Sequence, residues 1–348
     1  MSNYTSNDII NAIAAAAKAL EARKDEINRL NVFPVPDGDT GTNMSLTLAM
    51  VVDNLAKLPI GASSEDRRRA ITTGALMGAR GNSGVITSQI MRGLCEGIAD
   101  HEEFDIVAVD DAFSRAVEVA FNAVRKPVEG TILTVLRDTA TAAHKARKKK
   151  MELDEGLQFI VGESYASVQR TPELLPVLKE NGVVDAGGFG IAIFFDSFVA
   201  SLTGRAEAMV DELAFARTAA PKVEIEQIND WEGSKYKYCN EFLVNSETLD
   251  PEEALDFLQT MGDCELCVGS TPKFKVHVHS NTPDKVLAYF LERGEIFEVF
   301  IHNMKLQSEE RTEKLEAEQE AAHKAIGFVA VAAGSGNAAI LESLGVDY

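Results

Sequence analysis

The residues best suited to chemistry sit in the segment Asn31-Val-Phe-Pro-Val-Pro-Asp-Gly-Asp-Thr-Gly-Thr-Asn43. Asp37 and Asp39 flank a single glycine, so both carboxylates can converge on one hard cation. Magnesium takes oxygen ligands, keeps several waters and commonly bridges one or two carboxylates to phosphates. Thr42 and Asn43 fall at the expected start of the next helix, where free backbone amides favour an anion. A calcium loop needs more oxygen ligands and a distal glutamate, and neither stands at the right spacing. Taken alone, Asp-Gly-Asp-Thr-Gly also reads as an ordinary acidic turn.

A second element is Met77-Gly-Ala-Arg-Gly-Asn-Ser-Gly-Val85. Backbone amides with no side chains in the way, the Ser83 hydroxyl and the Arg80 guanidinium are what a polyphosphate tail requires. The Gly-Lys-Ser/Thr ending of a Walker loop is absent. Two more glycine turns follow, Pro127-Val-Glu-Gly-Thr-Ile-Leu-Thr134 and Asn181-Gly-Val-Val-Asp-Ala-Gly-Gly-Phe-Gly190. Each could be simple helix capping, with Asp185 as a capping acid.

A separate group lies in the second half. In Lys275-Val-His-Val-His279 the alternation of a strand puts His277 and His279 on one face, a common beginning of a zinc site. Cys239, from Tyr238-Cys-Asn-Glu-Phe-Leu243, could complete it with Glu241 or water. The pair in Cys264-Glu-Leu-Cys267 could do so instead. Without a metal these are two histidines on a solvent-facing strand and inert buried thiols.

The elements that must hold these residues change character along the chain. An apolar helical period (Ile9, Ile13, Ala16, Ala17, Leu20, Ile27, Leu30) follows Asn7-Asp8, read as a cap. Helices are expected over 44–58, 64–77, 86–98, 107–124, 131–151, 153–168 and 190–202, with glycine turns between them. A helical domain with its glycines gathered at the turns places its chemistry at one end. The segment 218–226 reads as a linker, after which strands (236–245, 265–270, 274–279) interleave with helices (252–261, 283–292). The organisation expected is a helical domain over 1–205, a linker over 206–229, a small α/β (α+β) domain over 230–303 and a charged connecting helix over 304–324. Residues 325–348 read as a strand, glycine turn and helix that cannot bury themselves alone, the start of a further domain in a longer protein.

Composition narrows the partners. The 348 residues carry 54 acidic against 34 basic side chains, a formal charge of -20, which repels nucleic acid and anionic membrane. The basic run Lys145–Met151 reads as a solvated helix end. Four cysteines do not staple a secreted fold of this size, and neither a signal peptide nor an apolar run of about 20 residues is visible. A soluble, cytoplasmic protein without an integral membrane segment is expected.

Taken together, Asn31–Met44, Gly78–Val85, Pro127–Leu133 and Val184–Gly188 resemble a DhaL-type kinase domain, the nucleotide-binding fold of dihydroxyacetone kinases. Their wording is closer to the ATP-binding subunit of bacterial fatty acid kinase. The resemblance runs through a middle domain into the opening of a DegV-like domain. It implies an antiparallel helical barrel that clasps ATP at one end. Asp37 and Asp39 would hold magnesium, and Arg80 would help neutralise the transferring phosphoryl group. The nucleotide contacts implied are Thr42, Asn43, Met44, Gly81, Asn82, Ser83, Thr131, Leu133, Asp185 and Gly187, with Thr131 and Leu133 beside the adenine. Dihydroxyacetone kinases carry a third aspartate upstream of the pair, where this chain offers Asn31. The implied reaction is γ-phosphoryl transfer to a fatty acid carboxylate presented by a DegV-like fatty-acid-binding protein. A dihydroxyacetone-type hydroxyl acceptor and a non-catalytic nucleotide-binding scaffold are the alternatives. The resemblance also favours Cys239 over the 264/267 pair for zinc, at a site that could fix the domain or support a homodimer.

Overall fold

The computed structural model describes residues 4–205 and 235–322. The expected linker at 218–226 and the strand and helix expected beyond residue 325 lie outside the described residues. Contacts divide the chain into two compact units, residues 1–305 and 306–348.

Four helices of the first part begin at a side chain that satisfies their free amides. α1 (Ser6–Ala22) opens on a capping box between Thr5 and Asp8, two residues before the cap expected from Asn7-Asp8. The chain then turns at Arg23, whose guanidinium pairs with Glu26 and lies 5.4 Å from the Phe189 ring centre. One apolar period is thereby split into α1 and α2 (Lys24–Leu30). Next come α3 (Thr40–Ala56), α4 (Ser64–Gly78), α5 (Gly81–Gly97), α6 (Ile106–Ala123) and α7 (Ile132–Lys148). The series ends with α8 (Leu153–Leu174), the short α9 (Pro176–Glu180) and α10 (Ala186–Thr203). Ser63 with Asp66 forms a second capping box on α4, and Asp105 caps α6.

Packing closes these helices into a ring. α3 packs on α4, α4 on α5, α5 on α6, α6 on α7 and α7 on α8, and α10 packs on both α8 and α1. Gly93 and Gly97 let α5 and α6 touch: a Cβ on Gly93 would lie 2.4 Å from Ala116 Cα. α10 is long and apolar enough to cross a membrane, but 83% of it is buried within the helical core. It shares one continuous core with Leu133, Phe113 and Ile27 among others.

The second part is a four-stranded antiparallel sheet with two helices on one face. Its elements are β1 (Tyr238–Asn245), α11 (Pro251–Met261), β2 (Gly262–Ser270), β3 (Lys273–Ser280), α12 (Pro283–Leu291) and β4 (Glu295–Asn303), in strand order β2-β3-β1-β4. Alternation sorts the side chains. Phe242, Val244, Cys267, Phe274, Val276 and Val278 form a core with Leu258, Val286 and Phe290 of the helices. The opposite face carries Cys239, Glu241, Lys275, His277 and His279, with Cys239 opposite His279 and Glu241 opposite His277. A final helix, α13 (Met304–Ala322), follows β4 directly. The mostly helical first domain and the α/β middle domain are thus the architecture expected from the sequence. The edge strand β4 and the short α9 were not foreseen.

Candidate functional site

The second face of the sheet is largely covered, with Cys239, Glu241, Lys275, His277 and His279 all buried. It packs on the end of the helical ring that holds the glycine turn, with Leu266 and Val268 of β2 against Ala79 and Val85. Cys239 joins Val35 and Met304 in a second small apolar contact. At the rim, Arg125 after α6 donates to Gln259 at 2.8 Å and pairs with Asp256, both on α11.

Under this cover lie the aspartates. The loop that carries them is fixed from behind by two asparagines. Asn31 Oδ1 accepts the Gly38 N–H at 2.7 Å, so Asn31 braces the loop. Asn28 of α2 accepts the Gly41 and Thr42 amides at 2.8 and 3.2 Å, and its Nδ2 donates to Thr42 Oγ1 at 3.0 Å. Neither Asn28 nor its role was signalled by a motif. The head of α3 is thereby anchored, with Asp39 at its N-cap position.

Asp37 and Asp39 are half-buried and hydrogen-bonded to one another. Burial raises the Asp39 pKa, and the charge of nearby Glu241 adds to that; Asp37, Asn43 and His302 act in the opposite direction. Burial and the neighbouring Glu241 charge at Asp39 are what a bound dication would offset. This oxygen-only donor pair fits magnesium.

The glycine turn meets the aspartate loop directly. Gly81 has φ +58°, and a Cβ there would stand 2.3 Å from Asn43 Nδ2, so the first residue of α5 must be glycine. Asn82 hydrogen-bonds the Cys264 thiol of β2, and Ser83 is half-buried on the first turn of α5. Arg80 turns towards the sheet: its guanidinium lies 4.3 Å from the Phe300 ring centre and 3.6 Å from Glu298, and it donates to the carbonyls of Met77 and Ala79. Met44 is wholly buried against Gly190 in the helical core.

Thr131, Leu133, Asp185 and Gly187 form a second group at the heads of α7 and α10. Thr131 is the N-cap of α7 and Leu133 is core. Asp185 accepts the Gly188 amide at 2.6 Å, and the Ile132 amide also bonds it, so one carboxyl ties both helix heads together. Burial raises the Asp185 pKa to about 7 against the pull of those two amides. Gly187 leaves only 3.2 Å between a would-be Cβ and Ile132 Cβ.

The sheet contributes charged and ligating groups that sequence reading did not connect with the glycine turn. Glu241 Oε1 accepts the Gly81 N–H at 2.9 Å, and Glu241 Oε2 lies 3.2 Å from Lys275 Nζ. Both side chains are almost wholly buried. Burial raises the Glu241 pKa, yet His277, Lys275 and the Gly81 amide outweigh it and the net shift is downward. Burial also drives His277 to about 3, so that ring is neutral at pH 7 and Lys275 and the amide are the operative partners. Cys239 Sγ lies 3.7 Å from His277 Nδ1. Ligand atoms of Cys239, His277 and His279 all fall within 4.8 Å of one another. His279 is also grouped with Asp263 and Cys264, whereas Cys267 faces the opposite core. Cys239 thus stands with both histidines, whereas Cys264 stands with His279 alone.

Comparison with known proteins agrees with this layout. Residues 34–200 match the DAK2 domain. Residues 235–311 match the FakA-like middle domain of fatty acid kinase, so the chain joins the two domains of the family its motifs resemble. An uncharacterized protein of Staphylococcus haemolyticus is 35% identical over 350 residues, covering 97% of this chain and 63% of the relative. One from Staphylococcus aureus MRSA252 is 36% identical over 347 residues, covering 97% and 62%. The chain therefore spans under two thirds of the length of these relatives. The dihydroxyacetone kinase of C. freundii, solved with AMP-PNP and Mg2+, aligns with TM-score 0.44 at 17% identity over 57% of this chain and 34% of that one.

Proposed function

We propose that this chain is the nucleotide-binding part of an ATP- and magnesium-dependent kinase that phosphorylates a fatty acid carboxylate. The acid would be presented by a DegV-like fatty-acid-binding protein. The observation that carries the reading is the junction of the Asp37–Asp39 pair with the Gly81 turn through Asn43, enclosed by the middle-domain sheet. In the reaction a carboxylate oxygen attacks the γ-phosphorus, the bond from that phosphorus to the β-bridging oxygen breaks, and ADP and an acyl phosphate result. A carboxylate needs no general base, so the protein's work is positioning and charge neutralisation. Magnesium, when bound, would supply most of that neutralisation. Asp37 and Asp39 would hold it, and the α5 amides would orient the phosphates. Arg80 reaches a phosphate only by leaving Phe300.

Zinc at Cys239, His277 and His279 is a second element of the proposal, supported by the approach of the three ligand atoms and by a buried His277 Nε2 that makes no hydrogen bond. A homodimer is the assembly we propose, since β4 is an edge strand with Val299 and Ile301 exposed. The direct experiment is ATP consumption with fatty acid, with and without the carrier. Turnover that needs the carrier supports this reading, and turnover with dihydroxyacetone instead supports the hydroxyl-acceptor alternative.

A further inference from the structure

The face of the middle-domain sheet places an acid where a nucleotide phosphate belongs. Glu241 Oε1 takes the Gly81 N–H, a free amide at the head of the 17-residue helix α5, across 160 residues of chain. Such a position is selective for anions, because unpaired amides and the helix dipole act together. A second observation shows the place is equipped for an exchangeable anion. Behind Glu241 lies Lys275 Nζ, wholly buried, 3.2 Å from the other carboxylate oxygen and making no geometrically sound hydrogen bond. A buried ammonium left without an anion is costly, so whatever removes Glu241 must replace its charge.

We propose that Glu241 is a built-in substitute for a phosphate oxygen, displaced from Gly81 when nucleotide binds, and that the displacement passes the Lys275 amino group to the arriving phosphate. The inference rests on the nucleotide reading of the Gly81 turn. One anion leaves as another enters, so the buried charge stays balanced while a middle-domain cation joins the phosphate site. Glu241 also adds negative charge beside Asp39. Its departure therefore removes repulsion from the phosphate tail as the tail arrives. Glu241 holds the Gly81 amide until nucleotide arrives, and the sheet senses whether nucleotide is present.

The test is calorimetric binding of Mg·ATP and of adenosine to the whole chain. Glu241→Gln keeps an acceptor for Gly81 but loses the competing charge. It should tighten Mg·ATP about tenfold and move adenosine less than about twofold. The double variant Glu241→Gln/Lys275→Met leaves no orphaned charge and should bind Mg·ATP about tenfold more weakly than Glu241→Gln alone. Unchanged Mg·ATP affinity in Glu241→Gln, or an equal shift for adenosine, overturns the displacement. Equal affinity of the single and double variants overturns the role of Lys275. A crystal structure of the unaltered chain with Mg·AMP-PNP is independent of how the variants fold. A phosphate oxygen on the Gly81 amide and Lys275 is expected, and Glu241 still seated there beside bound nucleotide would refute the proposal. Failure of the unaltered chain to bind Mg·ATP at all would instead count against the nucleotide reading beneath it.

Discussion

Asn43 Nδ2 occupies the space beside Gly81 so closely that a Cβ there would stand 2.3 Å away. This contact joins the head of α3 to the head of α5 and brings the aspartate loop against the glycine turn. Gly81→Ala must therefore strain the backbone at φ +58° and push Asn43 aside. A stability loss of about 1–3 kcal/mol is expected, with Mg·ATP affinity falling at least about tenfold. Denaturant unfolding and calorimetry on the same variant check both. Native stability with native affinity would show that the two loops are not coupled here.

Asn28 should matter to the same site from outside it. Its carboxamide satisfies the Gly41 and Thr42 amides. Asn28→Ala leaves both without that partner, costing about 1–3 kcal/mol. Because α3 presents Asp39, nucleotide affinity should fall along with stability. Asn28→Asp, which retains an acceptor, should recover most of the stability when measured by thermal unfolding.

Asp185 makes stability depend on pH in a defined direction. Its folded pKa is raised from 3.8 to about 7, so the folded state binds a proton that the unfolded state has already lost. The stabilisation is complete below about pH 4 and is lost as pH rises to about 7, on the order of 4 kcal/mol in all. Asp185→Asn should abolish that slope while keeping an acceptor for Gly188. Urea midpoints at several pH values for both proteins give the comparison, and parallel curves would contradict the assignment.

The middle-domain cluster predicts a metal. Protein purified without added zinc should contain about one equivalent, and Cys239→Ser or His277→Ala should lose it. Cys267→Ser, on the opposite face, should retain it. Elemental analysis decides, and equal zinc loss from Cys267→Ser would return the site to the 264/267 pair.

Helices were legible because their apolar period survives in the sequence and their caps are local: Ser63-x-x-Asp66 announces α4 unaided. The boundary at Arg23 was not, since it depends on Glu26 and Phe189, and only the second is remote in sequence. β4 escaped because apolar Val299, Phe300 and Ile301 stand in a row and break the alternation; Val299 and Ile301 stay exposed while Phe300 meets Arg80. Alternation did give the shared face of His277 and His279, and strand pairing added Cys239 opposite His279. Glu241 carried only a weak hint, standing two residues beyond Cys239. That it would reach Gly81 is a property of packing between domains, which no local pattern encodes. Arg80 shows the converse: a residue suited to phosphate in sequence lies on an aromatic ring in the folded chain.

Asp37 and Asp39 are proposed to serve phosphoryl transfer from ATP to a carrier-bound fatty acid. The most direct measurement is magnesium-dependent acyl phosphate formation from ATP and a fatty acid loaded on a DegV-like carrier, for the unaltered chain, Asp37→Asn and Asp39→Asn. The account predicts product with the unaltered chain and a loss of at least about 100-fold in each variant. Full activity in both variants would contradict it.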